Sequence, residues 1–184
     1  VLTGNKSIIN LLLKNNANPN QYSSPQSNDD IIFHPPIVAS IAEFEAPIVT
    51  QKNSLSIIRS LLKHGADINL SKSNTGHTAL YSACDQGHLT IVIFLLKNGA
   101  DPNIQIRSDY DDNGSTPLLI AVKNGYIDII KVLFKSRLLS DETIASAEQF
   151  LLEKLGSIYA GQRLNNTGLM PKQIKRNNIK ALFR

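Results

Sequence analysis

Three copies of one nine-residue pattern constrain this chain of 184 residues more than any other feature. The stretch LLKHGADIN at 61–69 returns 34 positions later as LLKNGADPN at 95–103, and a third version, LLKNNANPN, lies at 12–20. A period in the thirties predicts a stack of repeated units, because one such unit cannot bury its apolar face without neighbours. Proteins built in this way usually present an extended surface to a partner.

The unit at 76–103 predicts two helices joined by a tight turn. Apolar residues recur at helical spacing in both halves of the unit, and Gly87 with His88 separates the two runs. Gly99 follows the second run, where the end of a helix favours a left-handed residue. The apolar faces consist of Leu80, Ala83 and Cys84 in the first helix and of Ile91, Val92, Leu95 and Leu96 in the second.

This unit resembles the ankyrin repeat, whose pattern runs Gly-x-Thr-Pro-Leu-His-x-Ala-Ala, Gly-His, Ile-Val-x-x-Leu-Leu and Gly-Ala-Asp-x-Asn. Nearly every position matches, with Ala79 in place of Pro and Tyr81 in place of His. The following unit carries GSTPLLIAV from 114 and IIKVLF from 129, but Ser136 and Arg137 replace the expected Asn-Gly. Its second helix is therefore expected to run on, or to end without the usual left-handed residue.

Two weaker units precede these. In the first of them only a second helix is recognisable, and Asn16 stands where the capping Gly is expected, as the next most tolerant residue type. The other begins near Pro36, since Pro is favourable at the first helical position. Its helices are predicted at roughly 37–44 and 55–64, with extra residues around 45–52 between them.

An additional helix is predicted within residues 138–165, beyond the last recognisable unit. Ser140 would be its N-cap, with Asp141 and Glu142 well placed in the first turn. The plainest role for this helix is a cap over the last intact repeat. Its apolar stripe comprises Ile144, Ala147, Leu151, Leu155 and Ile158.

Charge is divided unevenly along the chain. Residues 154–184 hold seven basic and no acidic residues, whereas 1–153 hold 12 basic and 15 acidic residues. The basic segment could contact nucleic acid, anionic lipid or an acidic partner, or it could be the solvated face of a capping helix. The scattered spacing and the lack of interleaved aromatic residues favour the solvated face. The basic residues that would share one helix surface are Lys172, Lys175, Arg176 and Lys180.

The repeats and the resemblance together predict an all-α ankyrin-repeat solenoid of about four helix-turn-helix units with a helical C-terminal cap. The repeats would occupy 1–137 and the additional helix with the basic capping segment 138–184. Within the repeats, we expect a partial unit at 1–20, a degenerate unit at 35–69 and two clear units at 70–103 and 111–137.

No catalytic, metal or cofactor site is predicted. Cys84, Asp85 and His88 lie close together in the sequence, which is also typical of a nucleophile with its base, but Cys84 falls where the repeat needs a small buried residue. His88 belongs to the turn between the helices. Metal-ligand spacings and phosphate-binding loops are absent. We therefore expect a chain that is not an enzyme and needs no cofactor or metal.

The resemblance implies a protein partner, bound through loop tips and exposed first-helix positions on the concave face of the stack. Asp85 with Asp109, Asp111 and Asp112 would favour a basic segment of that partner, although Lys123 moderates this preference. The predicted contact residues are Asn74, Thr75, His77, Asp85, Gln86 and Asn98 in one unit and Asp112, Asn113, Ser115, Lys123, Asn124 and Ser136 in the next.

Two other functions stay open at this point. The chain could be the substrate-capture or targeting region of a larger enzyme or secreted effector, or it could bind nucleic acid or anionic lipid through the basic segment. Because the chain begins inside a repeat, at Val1, we expect a fragment of a longer protein.

The sequence also bears on location. The single Cys84 and the lack of a signal peptide or of a membrane-length apolar run favour an intracellular setting. Richness in Asn, Ile and Lys is typical of AT-rich genomes, which include those of many intracellular pathogens. Delivery into a host cell as an effector is therefore kept as an alternative.

Overall fold

The computed structural model describes residues 5–21, 34–41, 51–71, 76–107 and 114–161, and every regular element within these ranges is an α-helix. The predicted all-α class is confirmed. The helices of the described ranges are α1 (Lys6–Lys14), α2 (Pro36–Ala39), α3 (Gln51–Lys63), α4 (Ala79–Asp85), α5 (Leu89–Lys97), α6 (Pro117–Lys123), α7 (Ile127–Ser136) and α8 (Asp141–Gly161).

The helices form two stacks that run side by side. In the first-helix stack, α2 packs against α4, α4 against α6 and α6 against α8. In the second-helix stack, α1 packs against α3, α3 against α5 and α5 against α7. Contacts between α2 and α3, α4 and α5, and α6 and α7 join the stacks within each unit. This arrangement is the helix-turn-helix solenoid that the repeats predict.

Threonine residues fix where the first helices of the clear units begin. The Thr78 side chain accepts the Tyr81 N–H at 3.1 Å, and the Thr116 side chain accepts the Leu119 N–H at 3.2 Å. Each threonine thus satisfies a backbone donor that has no partner inside the helix. Pro117 occupies the first helical position of α6, where its missing N–H costs nothing.

The core is a ribbon of aliphatic side chains that recur at the same register in successive second helices. Ile91, Val92 and Leu95 of α5 are fully buried. In α1 only part of this register is buried, because Leu12, the counterpart of Leu95, is 51% exposed. The buried second-helix residues are Ile57, Ile58 and Leu61 in α3, Ile91, Val92 and Leu95 in α5, Ile129, Ile130 and Leu133 in α7, and Ile9 and Leu13 in α1.

A residue with positive φ follows each of the four described second helices, α1, α3, α5 and α7. Gly99 has a φ of +91° and Asn16 a φ of +63°, which confirms both predicted helix ends. The expectation for α7 was wrong, because Arg137 takes the left-handed conformation with φ 57° and ψ 18°. The stack holds the following chain on α6, so the geometry of the turn is kept without Gly, at a strain of about 1–2 kcal/mol.

The second unit differs from its predicted bounds. Helix α2 is a single turn, Pro36–Ala39, and the later part of the predicted 37–44 helix lies outside the described residues. Helix α3 begins at Gln51, four residues before the predicted Leu55, because apolar spacing marks the buried face of a helix but not its polar first turn. Most of the expected 45–52 insertion also lies outside the described residues.

The additional helix is confirmed as α8, and it continues the first-helix stack. Ser140 is its N-cap, since its Oγ accepts the Thr143 N–H at 3.1 Å. Ala147 is buried and Ile144 and Leu151 are half-buried, in agreement with the predicted stripe. The side chains of Leu155 and Ile158 and the whole basic segment from 162 lie outside the described residues.

Asparagine side chains link each unit to the next through backbone atoms. The Asn69 side chain accepts the Asp101 N–H at 2.9 Å and donates to the Gly99 carbonyl at 3.4 Å. The same pair of contacts recurs on either side, and we call the set the asparagine ladder. Its rungs are Asn20 with Gly65 and Asp67, Asn69 with Gly99 and Asp101, and Asn103 with Leu138 and Ser140.

Candidate partner-binding surface

Exposed polar residues at the ends of α4 and α6 are joined across the first-helix stack. The Asn124 side-chain amide donates to the Asp85 carbonyl at 2.9 Å and to the Asp85 carboxylate at 3.1 Å. Both residues are exposed, so the carboxylate keeps accepting capacity towards solvent. The structure therefore brings together two of the predicted contact residues, 39 positions apart.

Helix α8 extends this surface by one more helix. The Lys123 ammonium lies 5.9 Å from the centre of the Phe150 ring, within the range of a cation–π contact. Sequence reasoning missed Phe150, although Ser140 begins α8 with the same capping chemistry as the first helices and could have signalled a further first helix. We use the name first-helix surface for Asp85, Gln86, Lys123, Asn124 and Phe150.

Gln86 contributes a buried acceptor at the end of α4. Its side chain is half-buried, and its Oε1 atom is buried without a hydrogen-bond partner among the described residues. A buried acceptor in that state costs about 1–3 kcal/mol.

The other predicted contact residues of the clear units lie in varied surroundings, and some of them are not at the surface. The half-buried His77 ring stacks on Tyr81, with ring centres 4.9 Å apart. Ser115 is only 1% exposed, so its side chain does not reach a surface. The Asn98 amide donates to the Phe94 carbonyl and Ser136 to the Leu133 carbonyl, each at the end of its own second helix. The predicted residues Asn74, Thr75, Asp112 and Asn113 lie outside the described ranges, as do Asp109 and Asp111.

Cys84 is fully buried in α4, where it precedes Asp85 in the chain. Burial raises the pKa of its thiol far above the ordinary value, and the neighbouring Asp85 carboxylate raises it further. Because only the thiolate is a strong nucleophile, this environment suits packing. The packing role predicted for Cys84 is confirmed.

Comparison with known families decides what this stack is. The family profile described as ankyrin repeats in three copies matches residues 48–141, slightly more than half of the chain. The chain belongs to the ankyrin repeat family. The match begins before α3 and ends at the start of α8, so it covers the ankyrin units that carry most of the ladder and of the buried core.

Several curated proteins align with these ankyrin units. An ankyrin repeat protein of Rickettsia felis is 40% identical over 82 residues, which are 45% of this chain and 25% of that protein. The B-cell lymphoma 3 protein homolog of Mus musculus is 35% identical over 81 residues, 44% of this chain and 17% of that protein. The serine/threonine-protein kinase TNNI3K of Mus musculus is 35% identical over 89 residues, 46% and 11% respectively.

These alignments span a quarter or less of each of the three relatives. In the part of the ankyrin chain that the structure describes, no helix has both the length and the apolar character needed to cross a membrane.

Proposed function

We propose that this ankyrin repeat chain binds another protein through the first-helix surface. Ankyrin repeats are generally protein–protein interaction modules. The observation that carries the proposal is the continuity of the surface: the Asp85–Asn124 hydrogen bond and the Lys123–Phe150 contact join α4, α6 and α8. Most residues of α4 and α6 are buried, whereas Asp85 and Asn124 at the ends of these helices are exposed, so these ends are what a partner could reach.

The chemistry of the surface favours a partner with both a cation and hydrogen-bond donors. Asp85 offers an exposed carboxylate that Asn124 already orients, so little side-chain entropy would be lost on pairing with Lys or Arg of the partner. A partner donor that draws the Gln86 amide outwards would also relieve its unpaired acceptor. The acidic residues at 109–112 would add to this preference.

Charge reversal at Asp85 is expected to weaken partner binding. A partner would first be captured from cell lysate, identified and purified, and its affinity would then be measured by calorimetry. We expect Asp85→Lys to raise the dissociation constant about tenfold, with much of the effect in the association rate if Asp85 lies at the rim of the interface.

The matched control is Asp128→Lys, which makes the same charge change on α7 of the second-helix stack, where Asp128 is exposed and pairs with Lys131 at 3.8 Å. It should leave affinity within about twofold. Equal losses from both variants would refute the proposed surface. Loss of binding from Lys175→Glu with Arg176→Glu, with no effect of Asp85→Lys, would move the interaction to the basic segment.

The same proposal holds that the chain does not catalyse a reaction. The ankyrin family is generally non-catalytic, and the thiol of Cys84 is buried in the core.

A second candidate function rests on the relatives, each of which the chain matches over a quarter of its length or less. One of them is a protein kinase by name, so the ankyrin units could serve as the substrate-capture or targeting region of a longer protein.

Cys84 should react with thiol reagents only when the protein unfolds. At pH 8 we expect native protein to be labelled at least about 100-fold more slowly than denatured protein, because the folded state holds the thiol buried and neutral. Since its folded pKa is raised, Cys84 contributes stability that is present below its ordinary pKa of about 8.5 and is lost as pH rises above that value. Rapid labelling of the native protein would contradict the buried assignment.

A further inference from the structure

A groove of about 490 Å³ lies along α1 and α3, in the second-helix stack and away from the first-helix surface. Lys6 of α1 provides one side of it and α3 provides the rest. We call it the basic groove, and its lining residues are Lys6, Lys52, Leu55, Ser56, Arg59, Ser60 and Lys63.

Four of the seven lining residues are cations, and none of the described residues that line the groove is acidic. Neither α1 nor α3 contains Asp or Glu. Within the described ranges, no ion pair joins Lys6, Lys52, Arg59 or Lys63 to a carboxylate. The nearest acid in the sequence, Asp67, accepts the Asn69 N–H in its own loop. Mutually repelling cations in one concave site favour an anionic ligand.

The cations are arranged in a row along one face of α3. Lys52, Arg59 and Lys63 are separated by seven and then four residues, which corresponds to about 10 Å and 6 Å along the helix axis. The Arg59 guanidinium lies 5.2 Å from the centre of the Phe94 ring, so a cation–π contact holds it in place before any ligand arrives. The hydroxyl group of Ser56 adds a neutral donor between the charges, whereas the Ser60 hydroxyl donates to the Ser56 carbonyl at 3.2 Å.

We propose that the basic groove binds a compact, soluble polyphosphate anion. The volume of the groove lies in the range of small-ligand sites, and several phosphate groups on one small molecule would match a row of separated cations. None of the described residues that line the groove is aromatic, so this lining offers no ring on which a nucleic acid base would stack. The exposed aliphatic residues of α1 do not line it either, which disfavours a bilayer surface as the ligand.

Sodium tripolyphosphate is the probe that tests this site, titrated by calorimetry into the full chain at constant ionic strength. We expect one binding site per chain, with affinity that falls as salt is added. Lys52→Gln with Lys63→Gln should raise the dissociation constant about tenfold or more, and Lys6→Gln from the opposite wall should raise it severalfold.

Lys97→Gln with Lys135→Gln is the matched control, because it removes two exposed charges from α5 and α7 of the same stack, outside the groove. It should change the dissociation constant by less than about twofold. Thermal melting checks that all variants fold.

Equal weakening by both double variants, or no binding to the wild-type chain, would overturn the proposal. Groove-dependent binding to phosphatidylserine vesicles or to single-stranded DNA, without tripolyphosphate binding, would overturn it as well. The first-helix surface plays no part in these experiments, so their result is independent of the partner-binding proposal.

Discussion

Replacement of Gly76 by Ala is expected to lower the free energy of unfolding by about 3 kcal/mol or more. Gly76 has a φ of +67°, and an added Cβ would lie 2.8 Å from the Arg107 amide nitrogen and 3.1 Å from the Ile106 Cα. These backbone atoms cannot move away easily, because Ile106 is buried and its backbone forms hydrogen bonds of 2.9 Å with Gly114 and Ser115. Urea denaturation followed by circular dichroism would measure the loss.

Gly114→Ala separates the steric contact from the backbone conformation. Gly114 has a similar φ of +76°, but an added Cβ would meet nothing within 4 Å. We expect this variant to lose about 1–2 kcal/mol, the cost of a left-handed residue alone. If the two variants were destabilised equally, the close approach of Gly76 to the neighbouring loop would contribute nothing to the loss of stability.

Truncation of Leu95 to Ala should lower the free energy of unfolding by about 3–4 kcal/mol. Leu95 is fully buried where α5 meets its neighbours, so the substitution removes apolar contacts and leaves a cavity in a ribbon that has little freedom to collapse. Because each unit is stabilised by the next, the damage should extend to α3 and α7. Hydrogen exchange resolved by residue would show protection lost in those helices.

Leu12→Ala makes the same change at the same place in the repeat pattern. Leu12 is 51% exposed, so we expect a loss within about 0.5 kcal/mol. A loss as large as that of Leu95→Ala would show that Leu12 is covered in the folded protein. The pair therefore measures burial at one register position with the side chain held constant.

The clear units could be predicted from sequence because local chemistry and packing agree there. Thr78 and Thr116 carry the capping oxygen, Gly99 takes the positive φ, and the paired aliphatic residues repeat at the spacing of a buried helix face. Each of these signals lies within a few residues of the feature it specifies. The resemblance to the ankyrin family was visible in the sequence for the same reason.

Other features depended on contacts that are distant in sequence. Arg137 adopts a left-handed conformation because the stack requires a turn there, against its own preference. Ser115 occupies a loop-tip position in the repeat pattern, yet packing buries it to 1% exposure. Phe150 joins Lys123 only because α8 continues the first-helix stack. For the partner surface, sequence could thus name Asp85 and Asn124 but neither their hydrogen bond nor its extension onto α8.

In every rung of the asparagine ladder, one unit must supply a particular side chain and the next unit need supply only backbone atoms. The side chain must be that of Asn, because its amide both accepts and donates a hydrogen bond over this distance. The groups that it binds in the next unit are only a backbone N–H and a backbone carbonyl. Residues 138–140 share no sequence with the Gly-Ala-Asp stretches at 65–67 and 99–101. Even so, the Ser140 N–H donates to the Asn103 side chain at 2.7 Å, and that side chain donates to the Leu138 carbonyl at 2.8 Å. The loops that supply only backbone atoms can therefore change their side chains without losing these hydrogen bonds. A chain of this kind can thus acquire new surface chemistry while its units stay bonded to one another.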